Sequence, residues 1–116
     1  MKRLLIILSL LLSPVIVIAA QPEEVGNITQ LFVHRNPDNN LPISERFIVR
    51  LDSTISNGNN CGIDQWTGYL DSEAGKAQYS TLMALSMVGK PVKLQGTSAD
   101  HCVGGVMLIR NVYLNW

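Results

Sequence analysis

Residues 75–94 read GKAQYSTLMALSMVGKPVKL, and how this stretch folds decides the architecture. The run up to Val88 reads as a helix stopped at Gly89, where a left-handed residue ends helices, and Pro91 bars continuation. Upstream, Asp71 and Ser72 are both good N-caps, and Glu73 places negative charge in the first turn. PVKLQ then starts a strand. The helix is apolar almost all the way round, whereas a helix on a small domain needs one apolar stripe. At about 100° per residue, Ala74, Ala77, Thr81, Ala84, Leu85 and Val88 gather on one side with Leu82 flanking them, and this side is expected to face the core. Met83 and Met87 lie on the other side, beside Tyr79 and Lys76. Methionine is over-used on adaptable binding surfaces, so Tyr79, Met83 and Met87 are the candidate contacts to neighbouring copies of the chain. The alternative is that the Met pair fits under the loop from Ser53 to Asn60 within a monomer.

Working outward, RFIVRLD (46–52) is the clearest strand. Phe47, Val49 and Leu51 alternate with Arg46, Ile48, Arg50 and Asp52, giving one core face and one mostly charged face. VGNITQLFVHR (25–35) has strand length and β-branched content, and the turn-rich NPDNN follows it. QPEE (21–24) reads as a polar lead-in. CGIDQWTGYL (61–70), with its two glycines, reads as an irregular strand. TSADHCVGG (97–105) reads as a loop. VMLIRNVYLNW (106–116) is a long closing strand with Val106, Leu108, Val112 and Leu114 sharing a face. Strict alternation puts Arg110 on that face too, a conflict that predicts a bulge or a barrel end there. The order β-β-β-α-β-β is mainly β with one helix. It is the order of a five-stranded OB-fold-like barrel, with another small α+β sandwich as the alternative.

The N-terminus bounds the compartment. Lys2 and Arg3, the apolar run Leu4–Ile18 and the small pair Ala19–Ala20 have the order of a secretory signal peptide. Residues 1–20 are therefore expected to be removed, leaving residues 21–116 as one domain that is secreted or periplasmic and has no membrane anchor. Removal of Lys2 and Arg3 reduces 9 basic residues to 7 against 9 acidic ones, a net charge of about −2. That balance offers no basic face for nucleic acid and no polybasic strip for anionic membranes. In an oxidising compartment Cys61 and Cys102 read as a disulfide. Closing a loop of about 40 residues stabilises a domain by roughly 4 kcal/mol on the chain-entropy account.

Recognisable catalysis is missing from the sequence. It contains no GxSxG elbow, Walker loop, HExxH or dinucleotide fingerprint, so no enzyme activity and no cofactor is expected. Asp100-His101-Cys102 is compact but sits at the expected disulfide, and His34 and His101 with two cysteines match no metal pattern. Asn27-Ile28-Thr29 fits a glycosylation sequon and is read as a chance match. Binding chemistry is easier to place. Asp64, Gln65, Trp66 and Tyr69 put polar groups beside aromatic rings, the mix that sugar recognition uses. The competing reading makes Trp66 a core residue. Trp116 reads equally as a core plug or an exposed contact.

The combination CG…W…GKAQYSTLMALSMVGKPVKL…C…VYL, spanning Cys61 to Leu114, resembles small exported bacterial proteins similar in architecture to the binding (B) subunits of AB5 toxins, in particular the subtilase-cytotoxin and pertussis-like group. In those subunits a comparable helix precedes the fourth strand of an OB-fold, and five copies form a ring lined by their helices. The resemblance implies a homo-oligomer, a pentamer, that binds a cell-surface glycan without catalysing a reaction. The alternative function is a periplasmic envelope accessory or inhibitor protein with a protein partner.

Overall fold

The computed structural model describes Pro14, residues 21–35 and residues 45–114. Apart from Pro14, the expected signal peptide lies outside these residues, as do the NPDNN turn and Trp116. Among them run β1 (Glu23–Gly26), β2 (Ile28–Arg35), β3 (Glu45–Leu51), β4 (Ile63–Tyr69), α1 (Glu73–Val88), β5 (Val92–Gln95), β6 (Cys102–Val103), β7 (Val106–Leu108) and β8 (Asn111–Leu114). The domain is mainly β with one helix, as the sequence indicates. Its strands form two sheets, a three-stranded one ordered β1-β5-β8 and a five-stranded one ordered β2-β3-β4-β7-β6. All neighbours are antiparallel except β4 and β7, which run parallel. The two ladders do not merge into one closed barrel.

Two of the expected strands are broken, each at a point with a physical cause. The first is divided at Asn27, between β1 and β2. Asp52 staples that break: its carboxylate accepts from the Asn27 backbone N–H at 2.8 Å and from Asn27 Nδ2 at 3.2 Å. The Asp52 N–H returns a bond to the Asn27 carbonyl at 3.0 Å. The closing strand is divided at Ile109–Arg110, where the sequence anticipated an irregularity. Arg110 is exposed there, while Ile109 turns into the core. The shared face expected for Val106, Leu108, Val112 and Leu114 is corrected accordingly. Val106, Met107 and Ile109 are the buried residues, and Leu114 is 54% exposed.

The core lies between the sheets and α1. Phe47, Val49 and Leu51 are buried in it as their alternation requires, and Ile48 is buried on the opposite face. Trp66, Leu94 and Met107 complete the sheet side, with Leu82 and Leu85 from α1 laid across. The lead-in QPEE is not a solvated tail: Pro22 and Glu24 are both buried, and β1 starts at Glu23. The segment 97–105, expected to be a loop throughout, contains the short β6. A Gly104–Gly105 turn joins it to β7, both glycines having positive φ (56° and 78°). The Cys61–Cys102 disulfide is formed, with Cα atoms 5.4 Å apart and a sequence separation of 41.

The caps of α1 follow the sequence. Ser72 is the N-cap and its hydroxyl accepts from the Gly75 N–H at 3.0 Å. Gly89 closes the helix in the left-handed region at φ 65°. The orientation of the helix differs from expectation. It docks through Gly75, Leu82 and Leu85, and Tyr79 lies against Phe47 with ring centroids 5.6 Å apart. Gly75 sets this angle, because a Cβ there would overlap the Tyr69 carbonyl oxygen at the end of β4. Of the side expected to face inward, Leu85 and the flanking Leu82 are buried and Thr81 is half-buried, whereas Ala74, Ala77, Ala84 and Val88 are exposed.

Candidate functional site

Alternation along β4 separates the residues that sequence reasoning grouped. From Trp66 to Tyr69 the pairing with β3 is regular, so residues three apart point to opposite faces. Trp66 is fully buried. Its Nε1 donates to Glu24 Oε1 at 2.8 Å, so its ring offers no surface for a sugar. Tyr69 is half-buried on the outer face. Asp64 is exposed, and its carboxylate accepts from the Ile55 N–H at 3.4 Å, tying β4 to the 53–56 loop. Gln65 is half-buried between them. The four do not converge on one patch.

The helix surface carries more. Its docked line leaves two apolar flanks, one on each side. Met83 and Met87 stand out on the first, 40% and 81% exposed. Ser80, Thr81, Ala84 and Val88 form the second, where with Leu85 and Leu114 of β8 they line an open, predominantly apolar groove. Of the three expected contact residues, Met83 and Met87 are therefore at the surface, and Tyr79 is turned towards Phe47 and the core. Helical periodicity places the small residues of this groove on the core side, which hides the groove in the sequence. The signal that places them outside is Gly75, which an apolar-residue count overlooks.

Two charged groups are held under unusual conditions. Glu24 is buried, and its carboxylate accepts from Trp66 Nε1 and from Ser53 Oγ at 3.0 Å. Burial raises its proton affinity above that of an ordinary carboxyl; the two hydrogen bonds offset this in part, and Asp64 and Asp52 add to it. A second cleft, lined by Glu23, Glu24, Val25, Ser53, Thr54 and Ser56, opens beside it. Arg46 on β3 is half-buried, and burial lowers its pKa below the usual guanidinium value. Nothing in the sequence marks Glu24; only the need of a buried indole N–H for an acceptor points to such a partner.

The Asp100-His101-Cys102 triplet is not assembled for catalysis. Cys102 is committed to the disulfide, His101 is exposed, and Asp100 accepts a bond from Asn60 Nδ2. Among the described residues, no cluster of His, Cys, Asp and Glu is placed to hold a metal ion, and no helix is long and apolar enough to cross a membrane. Compared with protein-family models, with curated proteins and with solved structures, the chain matches none.

Proposed function

We propose that the protein is an exported, non-enzymatic binding subunit that assembles with copies of itself into a ring, on an OB-fold-like framework. The observation that carries this reading is the pair of uncovered apolar flanks on α1. One flank protrudes, with Met83 and Met87; the other is recessed, between Ala84, Val88 and Leu114. Two different complementary faces on one subunit favour a head-to-tail contact, which closes into a ring when the rotation permits. The barrel part of the reading is supported by strand order. Taking β1 with β2 and β7 with β8 as bent single strands, the neighbours run β2-β3-β4-β7 in one sheet and β8-β5-β1 in the other. That cyclic order, with one parallel pair, is what an OB-type Greek key requires. The disulfide fits an oxidising compartment. The number five and the cell-surface glycan come from the resemblance to toxin binding subunits.

One observation favours a second reading. Trp66, the ring best suited to stack on a sugar, is buried, which shifts weight from a glycan towards a protein partner in the cell envelope. A glycan array on the oxidised protein and a pull-down from periplasmic extract separate the two. Saturable glycan binding supports the first reading. Stoichiometric recovery of one other protein, with a blank array, supports the second.

A further inference from the structure

Three strands bring His34, Arg46 and Tyr69 into one row. His34 of β2 is directly opposite Arg46 of β3, and Arg46 is directly opposite Tyr69 of β4. Direct cross-strand partners share a face, and here it is the face turned away from Phe47 and Trp66. Arg46 Nε donates to His34 Nδ1 at 3.4 Å, and Nη1 donates to the Val103 carbonyl. The guanidinium lies against Gly104, where a Cβ would come within 2.9 Å of Nη1 and 3.2 Å of Nη2. The glycine lets the β6–β7 turn pack closely on one side of the guanidinium, which remains half-buried and not fully enclosed.

Among the described residues, no acceptor engages Nη2 and no carboxylate pairs with the guanidinium; the ion pairs are Lys76–Glu73 and Lys93–Glu23. Within the described residues this half-buried cation is left without a counter-ion, an arrangement that favours an anionic partner. An Arg fork suits two parallel bonds to a carboxylate. The neighbours have the right polarity. With His34 Nδ1 accepting from Arg46, Nε2 is the ring nitrogen left to act as a donor. The Tyr69 hydroxyl is a second donor and has no bond of its own within the described residues.

We infer that the His34–Arg46–Tyr69 row is a receiving site for a carboxylate carried by a soluble ligand. Arg46 supplies the charge, and the His34 ring and the Tyr69 hydroxyl supply the flanking donors. The inference rests on the binding-module reading but not on ring formation. A purely structural Arg46, clamping the β6–β7 turn to the sheet, would leave the protein indifferent to carboxylates.

The test is a titration of the oxidised, isotope-labelled protein with sodium glucuronate, and with glucose as the neutral ring. Nuclear magnetic resonance would follow the Arg46 Nε–H and the amides of the row. Saturable shifts centred on the row with glucuronate, none with glucose, and binding weakened about tenfold or more by Arg46→Gln are the expected results. Tyr69→Phe, which removes only a hydroxyl, should weaken binding about three- to tenfold, and serves if the Arg46 variant fails to fold. Resonances unmoved by tens of millimolar glucuronate, or shifts that survive both substitutions, overturn the site. Glycan binding elsewhere that is insensitive to both would overturn the site while leaving the binding-module reading in place.

Discussion

Trp66 and Glu24 hold each other inside the domain. The indole Nε1 donates to Glu24 Oε1 at 2.8 Å, and the two side chains are 0% and 3% exposed as whole residues. The bond spans 42 residues of chain and attaches β1 to the middle of the five-stranded sheet. It turns a segment that looks like a polar tail into part of the core.

Glu24→Ala should therefore destabilise the domain by about 1–3 kcal/mol, because it strands a buried indole N–H and opens space. Glu24→Gln keeps an acceptor in place and should cost less. Urea unfolding followed by Trp fluorescence measures both; equal losses for the two variants would show that the bond is not what matters.

The same carboxyl gives the pH dependence a definite sign. Burial raises the folded pKa of Glu24 above its unfolded value, so the folded state binds the proton more tightly. Its contribution to stability is complete below the ordinary Glu range and declines as pH rises through the elevated value. Asp52 acts in the opposite sense. Bonds from the Asn27 backbone and side chain lower its pKa, so its contribution is present above the ordinary Asp range and lost as pH falls through the depressed value. Glu24→Gln should remove the decline on the alkaline side and Asp52→Asn the loss on the acid side, each visible in a stability–pH profile.

Gly75→Ala is expected to destabilise by about 3 kcal/mol or more, even though alanine is the better helix former. The added methyl meets the Tyr69 carbonyl and lifts the first turn of α1 off β4. Ser72→Ala, which removes the cap bond to the Gly75 N–H and the long 3.5 Å bond from the Ser72 hydroxyl to the Tyr69 carbonyl, should cost about 1 kcal/mol. Thermal denaturation of the two variants, read together, tells steric docking from capping.

Reduction of Cys61–Cys102 should lower stability by about 2–5 kcal/mol. Oxidised and reduced protein compared by chemical denaturation gives the value directly, and unchanged stability on reduction would remove the bridge from the account.

The strands and caps were legible because their signals are local. RFIVRLD alternates, and Ser72 and Gly89 have the chemistry of helix ends. The face of α1 was not legible, because helical periodicity ranks side chains by apolarity and gives no weight to a glycine. Gly75 faces β4 because it has no side chain, and that rotates Tyr79 inward and Ala84 outward. Glu24 was invisible for a related reason: a carboxylate is buried only when distant donors are brought to it, here Trp66 and Ser53. The grouping of Asp64, Gln65, Trp66 and Tyr69 failed through strand geometry, since neighbours in sequence alternate between faces. By alternation Arg46 belongs to the charged face of β3, and only the cross-strand register puts it between His34 and Tyr69.

Assembly through the flanks of α1 is the central claim, and sedimentation of the oxidised protein tests it most directly. At tens of micromolar the unmodified protein should run as one species several times the monomer mass. Met87→Asp on the protruding flank and Ala84→Glu in the groove should each reduce it to monomer without loss of fold, since both residues are exposed. A monomer at that concentration, or an oligomer untouched by both substitutions, contradicts the account.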